Sequence, residues 1–134
     1  MATCTACSVT VECNDGCGVV CVDDCGICTF WCEPTTLPAD SAFGGTLVQL
    51  VRAADGTTVV RVHEDLDNPI APHEDDKRFE LCFKDLPVAS LARLLSSMSK
   101  RRVRASPDRS GERLSGGGTG TVSELAAKFS LLLE

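Results

Sequence analysis

Residues 13–32, "CNDGCGVVCVDDCGICTFWC", carry six cysteines at steps of 4, 4, 4, 3 and 4, with Cys4 and Cys7 just upstream. Sulfur at that density must be bonded to something or packed against itself. Metal thiolates, disulfides and a packed, thiol-lined coil are the three readings open to it, since free cysteine behaves as a small buried hydrophobe. Eight of the nine cysteines lie in residues 4–32 and only Cys82 lies outside, so a single evenly built domain is not expected.

Which reading applies depends on the compartment. The opening "MATCTACSVTVEC" has neither a basic n-region nor an uninterrupted apolar h-region, and no apolar stretch approaches the roughly 20 residues of a membrane span. The expectation is a protein of the cytoplasm, where thiols stay reduced and dense cysteine reads first as metal binding. Cys4-x2-Cys7 and Cys25-x2-Cys28, seventeen residues apart, have the spacing of a four-thiolate zinc site, which is a closed and structural shell. Cys13, Cys17, Cys21 and Cys32 then hold a second ion or share a cluster. Zinc is the expected metal. An iron–sulfur cluster is the alternative, although the bacterial ferredoxin run C-x2-C-x2-C-x3-C-P is absent. Export by another route turns the same eight residues into four disulfides with no cofactor.

A helix would align these sulfurs in one stripe, but Gly16, Gly18 and Gly26 with Val19, Val20 and Val22 disfavour helix. The expectation for residues 1–33 is therefore a module dominated by turns and short extended pieces. Phe30 and Trp31 are two of six aromatic residues in the chain. Trp31 is either a docking side chain on a small module or a cap packed on the sulfurs.

Residues 34–45 read as a linker, and residues 46–134 as an α+β domain. Within it, Leu47–Arg52 and Thr57–His63 are strands joined at Asp55-Gly56, which makes a hairpin over 47–63. Residues 64–76 are an acidic loop in which His63-Glu64-Asp65 recurs as His73-Glu74-Asp75, a weak divalent-metal pattern that reads first as a solvated charge run. Phe79, Leu81 and Phe83 alternate as a strand, which turns Cys82 to the other face. Asp85 and Pro87 open a helix with Val88, Leu91, Leu94, Leu95 and Met98 on one side. Arg102–Ala105 is a short strand, Glu112–Ser115 a weak one, and Thr121-x-x-Glu124 a capping box ahead of Val122, Leu125, Ala126, Phe129 and Leu132.

That order of strand, helix, strand, strand, helix, with "FKDLPVASLARLLSSMS", "RRVRASPD" and "GTVSELAAKFSLLL", resembles the short secretin and TonB-receptor N-terminal (STN-like) domain over about residues 78–133. Asp85, Leu86, Pro87, Leu91, Leu94, Leu95, Pro107, Asp108, Thr121, Glu124 and Leu125 carry the likeness. "SGGGTG" stands in place of the family's β-rich third strand, and the family is normally periplasmic. The resemblance implies a protein-docking module and carries no catalytic residue.

Charge divides the chain as well. Residues 1–76 hold thirteen acidic and two basic side chains, and residues 77–134 eleven basic and six acidic. An acidic front half excludes a phosphate grip there. Lys100, Arg101, Arg102 and Arg104 form the one dense basic run, a candidate contact for a protein partner, but no aromatic residues interleave it for base stacking. Nucleic acid is not an expected partner. A Gly-rich phosphate loop with its lysine and a serine nucleophile elbow are both missing, and no cysteine has a histidine near it in sequence. The expected function is a non-enzymatic, metal-holding interaction module in a larger assembly or homo-oligomer, with an iron–sulfur electron carrier or a disulfide-stapled extracellular assembly protein as alternatives.

Overall fold

The computed structural model describes residues 1–22, 25–33, 46–52, 55–63, 77–99, 101–109 and 111–134. Its fold class is α+β, as expected, in three layers: a hairpin, a six-stranded antiparallel sheet and a helical layer.

The hairpin is β1 (Ala2–Ala6) and β2 (Val9–Cys13), paired from Ala2↔Cys13 to Ala6↔Val9. Thr3, Thr5, Thr10 and Glu12 face water, while Ala2, Cys4, Ala6, Val11 and Cys13 are buried. Cys7 and Ser8 form its two-residue turn with φ of 49° and 65°, the left-handed pair that matches the twist of a tight hairpin.

The sheet holds β3 (Cys17–Val22), β4 (Ile27–Cys32), β5 (Thr46–Arg52), β6 (Thr58–His63), β7 (Phe79–Pro87) and, in this numbering, β9 (Arg113–Gly120), in the order β6-β5-β4-β3-β7-β9. Strand β3, "CGVVCV", is buried along its whole length, as a central strand covered on both faces must be. It pairs with β4 on one side (Cys17↔Cys32) and with β7 on the other (Val19↔Cys82). The line drawn between a 1–33 module and a 46–134 domain therefore runs through the middle of one sheet, since β4 also pairs with β5.

On one face Val20, Val22, Trp31, Leu47, Phe79, Leu81 and Phe83 form a core with helix α1 (Val88–Ser97), strand β8 (Val103–Arg104), helix α2 (Val122–Lys128) and strand β10 (Leu132–Leu133), which pairs with β8. Phe83 and Phe129 meet edge to face, with centroids 4.9 Å apart. The other face, Cys17, Val19, Cys21 and Cys28, takes the hairpin.

Several expectations change here. Residues 1–33 hold four strands where turns were expected. The step of four keeps Cys17 and Cys21 on one face of β3, and Cys28 and Cys32 on one face of β4, because four is an even number on an extended chain. Asp85 does not cap α1: Pro87 is its N-cap with no side-chain bond, while Asp85 takes a φ of 50° at the β7–β9 irregularity. The glycines of "SGGGTG" lie inside β9, not in a loop. At Gly117 a side chain would run into the Leu81 carbonyl, so the edge strand lies close against β7 because it lacks one. Helix α2 stops at Phe129, so Leu132 lies in β10. The capping box is present: Glu124 N–H donates to Thr121 Oγ1 and Thr121 N–H to Glu124 Oε1, both at 3.2 Å.

Candidate functional site: the sulfur layer between hairpin and sheet

All eight cysteines of residues 4–32 are paired as disulfides. Cys4–Cys17 fastens β1 to β3, and Cys13–Cys32 fastens the end of β2 to the end of β4. Cys21–Cys28 joins directly opposed residues of β3 and β4, with Cα atoms 4.0 Å apart. Cys7–Cys25 ties the hairpin turn to the β3–β4 connection. The six partners on strands were set in place by an inward parity on their own strand, and the hairpin laid across β3, β4 and β7 brings the parities together.

This corrects the expected ligand set. Cys4, Cys7, Cys13, Cys17, Cys21, Cys25, Cys28 and Cys32 have no thiolate to offer while each sulfur is bonded to another, and a metal takes the thiolate. The Cys4/Cys7 and Cys25/Cys28 pairs do not form one shell either. The two cysteines of each pair belong to different bridges, and Cys4 lies on β1 against Cys17. Four disulfides match the oxidising alternative, not the reducing compartment first expected. No helix among the described residues is long and apolar enough to cross a membrane.

The bridges differ in access. Cys4, Cys17, Cys13, Cys21 and Cys28 are buried and Cys32 is half-buried beside buried Cys13, whereas Cys7 and Cys25 are half-buried at both ends of one bridge. Cys25 also has a positive φ, of 58°, so both ends of this bridge rest on strained backbone. Glu80 of β7 reaches the same spot: its Oε2 accepts from the Cys7 N–H at 3.3 Å and lies 3.1 Å from the Cys7 sulfur. Sequence reasoning left Glu80 unnoticed, although the Phe79, Leu81, Phe83 alternation already put it on the sulfur face. Cys82 shares that face, remains a free thiol and packs half-buried against the sulfur layer.

Trp31 is not a docking residue: it is 2% exposed, packed in the helical-face core, with its Nε1–H donating to Glu33 Oε2 at 2.9 Å. Ser90 Oγ donates to the same carboxylate oxygen at 2.9 Å. In the basic run, Arg104 pairs with Glu134 at 2.7 Å and Arg101 Nε donates to the Glu134 carbonyl at 3.1 Å; Arg101, Arg102 and Arg104 are all exposed. Lys100, residues 64–76 and the His63 side chain lie outside the described residues.

A second polar cluster locks the far end of the hairpin. The Arg113 guanidinium donates to the Asp85 carboxylate at 2.9 Å, to the Asp85 carbonyl at 2.7 Å and to Asp15 Oδ1 at 2.9 Å. The hydrogen bond to Asp85, helped by the charge of that carboxylate and of Asp15, raises the arginine further above its ordinary value. Gly16 fits beneath because a Cβ there would overlap the Asp85 carbonyl.

At the opposite edge, β6 presents Val59, Val60 and Val62 at 47%, 59% and 63% exposure. Val60 and Val62 lie opposite Leu50 and Val48, and those in turn opposite Cys28 and Phe30. The hairpin layer stops short of this corner. Among the described residues β6 pairs only with β5.

No family model, curated protein or solved structure matches the chain.

Proposed function

We propose that this chain is a disulfide-stapled structural module of an oxidising, extracellular-type environment. It acts by holding a rigid sheet whose edge strand β6, paired among the described residues with β5 alone, docks an extended strand of a protein partner. The observation that carries this reading is the set of four disulfides clamping a hairpin over a six-stranded sheet.

Cross-links of this kind suit a protein that must survive where thiols are oxidised and where no partner or chaperone restores it. The exposed valine ribbon supports the docking half. An unpaired edge with apolar side chains is a template for strand addition, in which main-chain hydrogen bonds supply affinity and alternate side chains supply selection. The likeness of residues 78–133 to STN-like docking modules points the same way. No step of this function is catalytic.

The first test is intact mass with and without reduction, followed by alkylation. Protein made in an oxidising compartment is expected to weigh two hydrogens less for each of four disulfides, with one alkylatable thiol at Cys82. Nine alkylatable thiols in protein that is nonetheless folded would overturn the stapled reading. For the edge, Val60→Lys with Val62→Lys is expected to abolish strand-mediated association in sedimentation without changing the unfolding midpoint. Unchanged association would remove β6 from the reading.

A further inference from the structure

Two of the four bridges sit side by side. The sulfurs of Cys7, Cys21 and Cys28 lie within 4.8 Å of one another, and so do the sulfurs of Cys7 and Cys25 with a carboxylate oxygen of Glu80. Cys7 belongs to both groups. A tetrahedral zinc with four thiolates at about 2.3 Å sets its sulfurs about 3.8 Å apart, and no separation among the Cys7, Cys21 and Cys28 sulfurs exceeds that by more than about an ångström. Cys25 is bonded to Cys7 at the edge of this group.

We propose that Cys7, Cys21, Cys25 and Cys28 form a zinc site that opens when Cys7–Cys25 and Cys21–Cys28 are reduced, and is closed in the oxidised protein.

Three features of the fold favour it. Cys25-Gly26-Ile27-Cys28 is a C-x-x-C turn, which presents two thiolates to one ion, while Cys21 faces Cys28 across the β3–β4 pair. The remaining bridges, Cys4–Cys17 and Cys13–Cys32, hold the hairpin across β3 and β4 independently, so opening the first two need not release the layer. The four ligands come from the hairpin turn, β3 and the β3–β4 connection with the start of β4. Zinc would therefore replace, by coordination, the hairpin-to-sheet tie that reduction removes.

Access gives the order of events. A dithiol reaches the Cys7–Cys25 bridge first, since both of its cysteines are half-buried whereas every other bridge has at least one buried cysteine. The freed Cys7 thiolate lies beside both sulfurs of Cys21–Cys28 and attacks Cys28, forming Cys7–Cys28 and releasing the Cys21 thiolate. A second dithiol then reduces Cys7–Cys28. Two protein disulfides and two dithiols thus give four protein thiols and two oxidised dithiols, and one Zn2+ binding to the four thiols displaces four protons.

The test uses the full chain with Cys82→Ser, reduced anaerobically with a dithiol, freed of it by gel filtration and titrated with Zn2+ or Co2+ alone. One ion per chain is expected, with cobalt showing tetrahedral visible bands and charge-transfer absorption of four-thiolate strength, while the oxidised protein binds none. Cys21→Ala with Cys28→Ala is expected to weaken zinc at least tenfold, and Cys4→Ala with Cys17→Ala to leave it within a factor of a few. In the reduced parent chain, zinc is expected to slow alkylation of Cys7, Cys21, Cys25 and Cys28 selectively. This readout does not depend on how any variant folds. No zinc bound, or equal protection of all eight cysteines, overturns the proposal. Both results leave the disulfide count of the oxidised protein, and with it the structural reading, untouched.

Discussion

Replacing Cys4 and Cys17 together by alanine tests whether the hairpin is held by its staples. Their bridge spans 13 residues. The other bridges offer no much shorter way round: the route through Cys7–Cys25 runs three residues to Cys7 and eight back from Cys25 to Cys17. Loop-closure entropy for such a span amounts to about 3 kcal/mol of stability, which acts by restricting the unfolded chain. Both sulfurs are fully buried, so each truncation also leaves a small void that costs about 1 kcal/mol. The double variant is thus expected to lose about 5 kcal/mol. At about 2.1 cal/mol/K of unfolding entropy per residue, a chain of 134 residues would drop about 18 °C in Tm. Urea unfolding is the assay, because a cross-link that acts on the unfolded state has a second signature. The denaturant slope should rise as the freed chain exposes more surface. A loss below about 1 kcal/mol with an unchanged slope would refute the pairing and the entropic argument together.

Other outcomes follow from single residues. Gln49 is fully buried on β5 with neither its amide nitrogen nor its oxygen hydrogen-bonded among the described residues, so Gln49→Leu is expected to stabilise by about 1–2 kcal/mol in thermal unfolding; destabilisation would mean that the amide has a partner. Gly18 has the Leu94 and Leu86 methyls 2.9 and 3.2 Å from where a Cβ would stand, so Gly18→Ala should cost about 1–3 kcal/mol by wedging α1 off the sheet, and hydrogen exchange should quicken in α1. Thr121→Ala removes half of the capping box and is expected to cost about 1 kcal/mol near neutral pH. The Glu124 carboxyl is held below its ordinary value of 4.5, first by the Thr121 backbone N–H and then by its side chain and Arg78. Its contribution is therefore complete above that value and fades as the pH falls through and below it, so the gap between wild type and Glu124→Ala should narrow in acid; a gap independent of pH would refute the reciprocal cap.

How much of this was legible in the sequence can be traced residue by residue. Local patterns translated directly where one short stretch makes all its own contacts. The Asp55-Gly56 turn between β5 and β6, the apolar side of α1, the Thr121–Glu124 box and the Phe79–Leu81–Phe83 alternation all read off spacing, because turn chemistry and periodicity are properties of neighbours in the chain. Trp31 reads from sequence as either a docking side chain or a cap on the sulfurs, because its shelter is a helical layer built some sixty residues later.

The cysteines show where that legibility stops. Sequence alone determined that sulfurs spaced by four on extended chain share one face, and that so many of them must be bonded or packed against one another. It could not decide to what, since thiolate and disulfide chemistry use the same residues at the same spacings. Tertiary structure decided it by laying β1 and β2 across β3, β4 and β7. That placement puts Cys4 against Cys17 and Cys13 against Cys32 at Cα separations of 6.2 and 5.5 Å, and sets Glu80 beside Cys7. A disulfide partner is chosen by distance in space, and only the packing of one layer on another sets that distance.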